Sequence, residues 1–137
     1  MRRFLGVLLV GMIAWPALAD DVQKDKQALN GTWKVTKATR GGKTPPDTEK
    51  VTLLITEDEI TPQVGDRKEK PAKYKLDASK SPKQIDLTPG GDMTISGIYE
   101  VKGDKLRLCF RRGGGERPAS FDAVGEEIMY LEAEKQK

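Results

Sequence analysis

Lys105-Leu106-Arg107-Leu108-Cys109-Phe110-Arg111 (KLRLCFR) alternates side chains of opposite character along its whole length. In an extended chain successive side chains point to opposite faces. Leu106, Leu108 and Phe110 therefore share one face, and Lys105, Arg107, Cys109 and Arg111 share the other. One dry face and one wet face suit an antiparallel sheet, whereas a parallel sheet is buried on both sides. The same period of two pairs Trp33 with Val35, Tyr74 with Leu76, Ile85 with Leu87 and Met93 with Ile95, and joins Val51, Leu53 and Ile55. Turn chemistry separates these runs at Gly41-Gly42-Lys43, Glu57-Asp58, Gly65-Asp66, Asp77 to Pro82, Pro89-Gly90-Gly91-Asp92, Gly103-Asp104, Gly113-Gly114-Gly115 and Gly125. The interruptions leave about nine candidate strands.

No segment is long enough for a helical crossover between parallel strands. Short antiparallel strands in one domain must close or fold over to hide their edges. An up-and-down barrel of about eight or nine strands is the economical solution, and a two-sheet sandwich the second. One short helix precedes the strands: Val22, Lys26 and Leu29 recur at helical spacing, Asp20 or Asp21 can cap the start, and Asn30-Gly31 suits the end. At Gly97 the apolar phase slips, because Ile98 lies on the opposite parity from Ile95, Tyr99 and Val101. A bulge or a sharp barrel bend is expected there.

The chain of 137 residues has room for one domain. Its first 19 residues have the form of an export signal: Arg2-Arg3, an uncharged run from Phe4 to Ala14, and the small residues Ala17 and Ala19 before a cleavage point. The run is too short for a bilayer-spanning helix, which needs roughly 20 residues. The expected division is a signal segment over 1–19 and a barrel domain over 20–137, exported to the periplasm or the exterior, with no membrane span after cleavage. Losing Arg2 and Arg3 takes the basic count from 24 to 22 against 21 acidic residues, a net charge of +1. Export permits disulfides, yet Cys109 is the sole cysteine.

Leu29-Asn30-Gly31-Thr32-Trp33 resembles the start of lipocalin-type barrels, in which a short helix plugs one end and the tryptophan packs across the base. Further segments extend the likeness: Tyr74 to Asp77, Ser81 to Leu87, Gly97 to Glu100, Gly103 to Phe110, and Arg117-Pro118 with Phe121. Taken together, the chain from about Lys26 to Leu131 is similar to an uncharacterised family of exported lipocalin-like domains of planctomycete-type bacteria. The resemblance implies an all-β, antiparallel lipocalin-like barrel with a short N-terminal helix. It carries no activity.

The absence of histidine removes the imidazole-based triads and His-ligated metal sites. No metal or other cofactor is expected, and no catalytic residue is assigned. Glu57-Asp58-Glu59 and Glu126-Glu127 sit at turns where water keeps both carboxylates ionised, and they lack calcium-loop spacing. Arg112 to Arg117 lacks the Lys-Ser/Thr ending of a phosphate loop and reads as a hairpin tip, or an entrance loop if a pocket exists. Arg67, Lys68, Lys70, Lys73, Lys75, Lys80 and Lys83 read as charges that keep an edge strand soluble, with an anionic polymer as the functional alternative. Nucleic acid is not expected, since only Tyr74 is interleaved for stacking.

Trp33 reads as the structural barrel base, with Arg107 or Arg117 able to lie over its ring. Cys109, between two arginines on one face, is a reactive thiol if they depress its pKa and a packed apolar residue otherwise. The inward parity supplies the candidate ligand-binding residues Leu53, Ile55, Tyr74, Leu76, Ile85, Leu87, Tyr99, Leu106, Leu108 and Phe110. The expected function is a secreted, non-enzymatic binding module holding a small apolar ligand. The alternative is an envelope or extracellular interaction protein that binds a protein or polysaccharide through its wall or loops. A void of roughly 300 Å³ or more would favour the ligand, although short strands lead us to expect a small or closed one.

Overall fold

A computed structural model describes residues 21–90, 93–112, 115–123 and 125–136. The expected export signal lies outside them. A helix over 21–29, α1, leads into β1 (Gly31–Arg40). The other strands are β2 (Val51–Ile55), β3 (Glu59–Val64), β4 (Arg67–Lys68), β5 (Ala72–Asp77), β6 (Lys83–Gly90), β7 (Met93–Lys102), β8 (Lys105–Arg111) and β9 (Ile128–Lys135). The sheet order is β2-β1-β9-β8-β7-β6-β5-β3-β4, and β2 also pairs with β3. Eight antiparallel strands thus close into a barrel, with β4 as a two-residue flap on β3. The architecture is a lipocalin-like up-and-down barrel.

The inward row of β8, Leu106, Leu108 and Phe110, faces the barrel axis. It joins Trp33, Val35, Leu53, Ile55, Ile60, Tyr74, Ile85, Leu87, Tyr99 and Leu131 in one apolar core. Outward positions carry Lys34, Lys73, Lys75, Glu100, Arg107 and Glu134, none of them buried. An apolar inside and a charged outside is the inverse of a bilayer-spanning barrel. β5 carries two of the lysines expected on an edge, but it pairs with both β3 and β6. It is an interior strand of the closed barrel, paired with β6 from Lys73 to Asp77 and with β3 at Ala72 and Lys73, so those lysines decorate a wall.

Two irregularities trace to particular residues. In β1 the register against β9 shifts between Val35 and Lys37, so Trp33 and Val35 point inward on one parity and Ala38 on the other. The β3–β5 seam holds only two pairs, Glu59 with Lys73 and Ile60 with Ala72. Pro62 follows, and a proline has no N–H to continue a ladder. Its carbonyl instead accepts from the Glu69 N–H at 2.8 Å, which folds β4 against β3.

The register passes Gly97 without a shift against β6 or β8; on the β6–β7 seam it slips between Leu87 and Gly90. No bulge accounts for Ile98. Ile98 points outward into a second apolar cluster with Cys109 and Ile128, which Phe121, Ala123 and Tyr130 cover. The apparent phase slip is a strand buried on both faces. Gly97 itself is required by closeness, because a Cβ there would stand 2.7 Å from Phe110 Cβ and 2.8 Å from the Cys109 carbonyl oxygen. Gly97→Ala is therefore expected to destabilise the barrel by about 1–3 kcal/mol, read as a lower midpoint in urea unfolding. An unchanged midpoint would show that the β7–β8 contact yields freely.

Candidate functional site

One end of the barrel is sealed. Trp33 is 0% exposed, and its Nε1–H donates to the Leu29 carbonyl at 2.7 Å, locking α1 to the first strand. The cation over the Trp33 ring is Lys135, 5.5 Å from the centroid, rather than either arginine considered from the sequence. Lys135 also donates to the Ala28 carbonyl at the end of α1. Arg107 lies instead over Phe121 at 4.1 Å. Arg117 donates to the Ile85 and Gly97 carbonyls and pairs with Asp86 on the outer wall.

The face that α1 turns inward has a polar member that helical spacing of apolar residues does not reveal. Asp25 is 8% exposed, and its Oδ2 accepts from the Tyr99 hydroxyl at 2.6 Å and from Lys83 Nζ at 2.9 Å. A buried carboxylate needs such partners. Among the described residues no buried side-chain polar atom lacks a hydrogen-bond partner. Tyr99 thus serves the seal. Tyr74, whose hydroxyl donates to the Thr56 carbonyl at 2.7 Å, is also held as core.

The opposite end is open. A cavity of about 220 Å³ is lined by fifteen residues, nearly all of them apolar. Its floor is buried: Val35, Ala38, Leu53, Ile60, Leu87, Leu108 and Leu131. Its rim is half-buried or exposed, and consists of Pro45, Pro46, Thr48, Val51, Pro62, Ala72, Phe110 and Met129. The β1–β2 connection brings Pro45, Pro46 and Thr48 over the mouth. It is pinned by Lys34 Nζ donating to the Glu49 carbonyl and by Thr48 Oγ1–H donating to the Pro45 carbonyl.

Of the ten residues expected from parity, Leu53, Leu87, Leu108 and Phe110 line this cavity. Ile55, Tyr74, Ile85, Tyr99 and Leu106 are buried in the packed half, and Leu76 packs against it partly exposed. Parity finds the inside of a barrel but not the level along its axis. Ile60, Met129 and Leu131 had the same alternation and were recoverable from it. Ala38 and Ala72 had no signal, since an alanine on an inward row marks a void only when its neighbours are known.

Cys109 is 0% exposed beneath the β8–β9 connection, and burial pushes its thiol pKa up. The two flanking guanidiniums do not face it: Arg107 is engaged with Glu100 and the Phe121 ring, and Arg111 donates to the Glu116 carbonyl. Arg117, Phe121 and Ala123 of the β8–β9 connection lie on the outer wall, and none of its described residues lines the mouth; Gly113-Gly114 at the expected hairpin tip lie outside the described residues. The acidic triplet at 57–59 forms the β2–β3 turn, where the Asp58 carbonyl accepts from the Tyr74 N–H. Among the described residues no group of three His, Cys, Asp or Glu side chains is placed to hold a metal ion.

No family model, curated protein or solved structure matches this chain. The site must be read from its own chemistry.

Two outcomes follow from the packing. Burial, with help from Asp58 and Glu57, pushes Tyr74 up to about 12 from 10.0. Tyr99 is raised by burial and then by its bond to Asp25, and Tyr130 by burial and then by Glu132. The unfolded chain ionises its tyrosines near pH 10, so above that pH it has lost protons which the folded state retains. The contribution of these tyrosines to stability is complete below about pH 10 and falls as pH rises towards 12. Tyrosinate absorbance should stay low at pH 10 and rise together with loss of the fold; early ionisation of all three would contradict this burial. For Cys109, labelling by a thiol reagent should be slow in the native protein and roughly tenfold faster in Arg117→Ala, which frees the covering segment. Equal rates would mean that Arg117 does not hold it down.

Proposed function

We propose that this protein is an exported, non-catalytic binding module of the lipocalin-like family described above, which holds a small apolar ligand at the open end of its barrel. The observation that carries the reading is the one-ended cavity. One half of the tube is packed shut by Trp33, Tyr99 and α1, while the other retains about 220 Å³ bounded by apolar side chains. That is less than the roughly 300 Å³ typical of drug-sized ligands. It exceeds the about 150 Å³ in which a dry cavity accepts a benzene-sized guest. The ligand is accordingly small: one ring or one short chain, or the tip of something larger.

The alternative role as an interaction protein has less to draw on. Met93, 53% exposed, is the only large hydrophobic side chain that stands well out into solvent among the described residues. The basic segment is also partly engaged, with Arg67 on Glu69 and Lys83 on Asp25.

Titration with toluene, followed by methyl NMR, tests the reading. Saturable shifts are expected at Ala38, Ala72, Leu108, Met129 and Leu131, with methyls of the packed half such as Ile55 unmoved. Ala72→Trp, a substitution at the half-exposed rim, should fill the mouth and weaken toluene binding roughly tenfold or more, about 1.4 kcal/mol. Absence of saturable shifts, or binding that Ala72→Trp leaves intact, would sink the proposal.

A further inference from the structure

The cavity also specifies which part of a ligand enters it, an inference that rests on the binding reading above. Among the described residues that line it, Thr48 alone has a polar side chain, and its Oγ1–H is already spent on the Pro45 carbonyl at 2.7 Å. Three rim residues, Pro45, Pro46 and Pro62, have no backbone N–H to offer. The Pro62 carbonyl is taken by Glu69. A hydroxyl, amide or carboxylate pushed inside would lose its water and find no donor to replace it. We infer that the site takes the unfunctionalised hydrocarbon end of a chain-like amphiphile, tail first, and leaves its polar group in solvent at the proline rim.

The same geometry limits the length of that tail. Rim and floor are separated by two residues along three strands: Val51 and Leu53, Phe110 and Leu108, and Met129 and Leu131. At about 3.3 Å per residue this gives a depth of about 7 Å. A methylene occupies about the volume of a water molecule, roughly 30 Å³, so 220 Å³ holds about seven carbons. Below that level Trp33, Tyr99 and Leu106 are packed and buried, and the tail meets a wall.

Calorimetric titration of the purified protein with straight-chain primary alcohols of increasing length, beside the α,ω-diols of equal length, tests this. Affinity should rise about fourfold per methylene and level off near seven carbons. The diols should bind roughly tenfold or more weakly, because their second hydroxyl would be buried without a partner. Diols that bind as well as the alcohols, or an affinity that climbs steadily past ten carbons, would each overturn the tail-first assignment while toluene binding stands. If neither toluene nor any alcohol binds, the binding reading and this one fail together.

Discussion

The structure depends on how its closed end is sealed. A tube of eight strands is wide enough inside for side chains or for a small guest, and whatever plugs one end decides how much of it remains. Here the plug combines an apolar piece with a polar latch. Trp33 supplies bulk and ties its indole N–H to the end of α1. Asp25, on that helix, reaches the Tyr99 hydroxyl inside the wall and the Lys83 ammonium at its margin. Lys83 is partly exposed, so the ion pair alone is worth little. The Tyr99–Asp25 hydrogen bond is buried, and removing Asp25 would leave the Tyr99 hydroxyl unsatisfied, which costs more than the bond contributes. The latch therefore fixes the register of α1 on the barrel more than it adds to net stability.

The barrel wall is also used on both sides. Most of β7 and β8 obeys strict alternation, but Ile98 and Cys109 stand on the outer face and are fully buried. They are covered by the β8–β9 connection, whose Phe121 stacks edge-on to Tyr130 at 6.5 Å beneath the Arg107 guanidinium. Arg117 staples that connection to backbone carbonyls of β6 and β7. A small domain without a disulfide gains a second apolar cluster in this way, and burial fraction limits the stability of small domains. The lone cysteine is used for its volume.

How much of this could be read beforehand follows from the range of each signal. The β8 row was legible because alternation is local: Leu106, Leu108 and Phe110 declare their face within five residues. Trp33 was legible from its place at a helix-to-strand junction. Ile98 looked like a defect, because the segment that buries it lies far along the chain and carries no periodicity. Asp25 was hidden because an acidic residue on a short helix normally marks the wet side, and its partners Lys83 and Tyr99 are distant in sequence. The choice of Arg107 or Arg117 as the cation over Trp33 failed for the same reason, since Lys135 reaches the ring from the last strand. Of the cavity, the sequence exposed the inward-facing rows. The height at which they stop touching was set by small residues on other strands.

Those small residues explain why the open half is hollow. Around the cavity Ala38 and Ala72 occupy inward positions on β1 and β5, and Pro62 stands between them on β3; Leu131 on β9 is the direct neighbour of Ala38, Leu87 lies on β6 beside β5, and Leu108 and Phe110 on β8 face Pro62 from across the tube. Larger aliphatic residues at the two alanines would extend across the gap and bury more apolar surface. A chain shaped only for stability would gain from that change, since filling voids is among the commonest stabilising substitutions. The packed half shows what such filling looks like, with Trp33, Ile55, Tyr74, Ile85, Tyr99 and Leu106 buried in one apolar cluster. The rim prolines restrict the mouth further, since they hold its shape with little conformational freedom and provide no N–H that water or a polar guest could use. Hollow, apolar and poor in donors, this end of the barrel differs from the packed end in volume and in chemistry, and that difference is what the ligand proposal rests on.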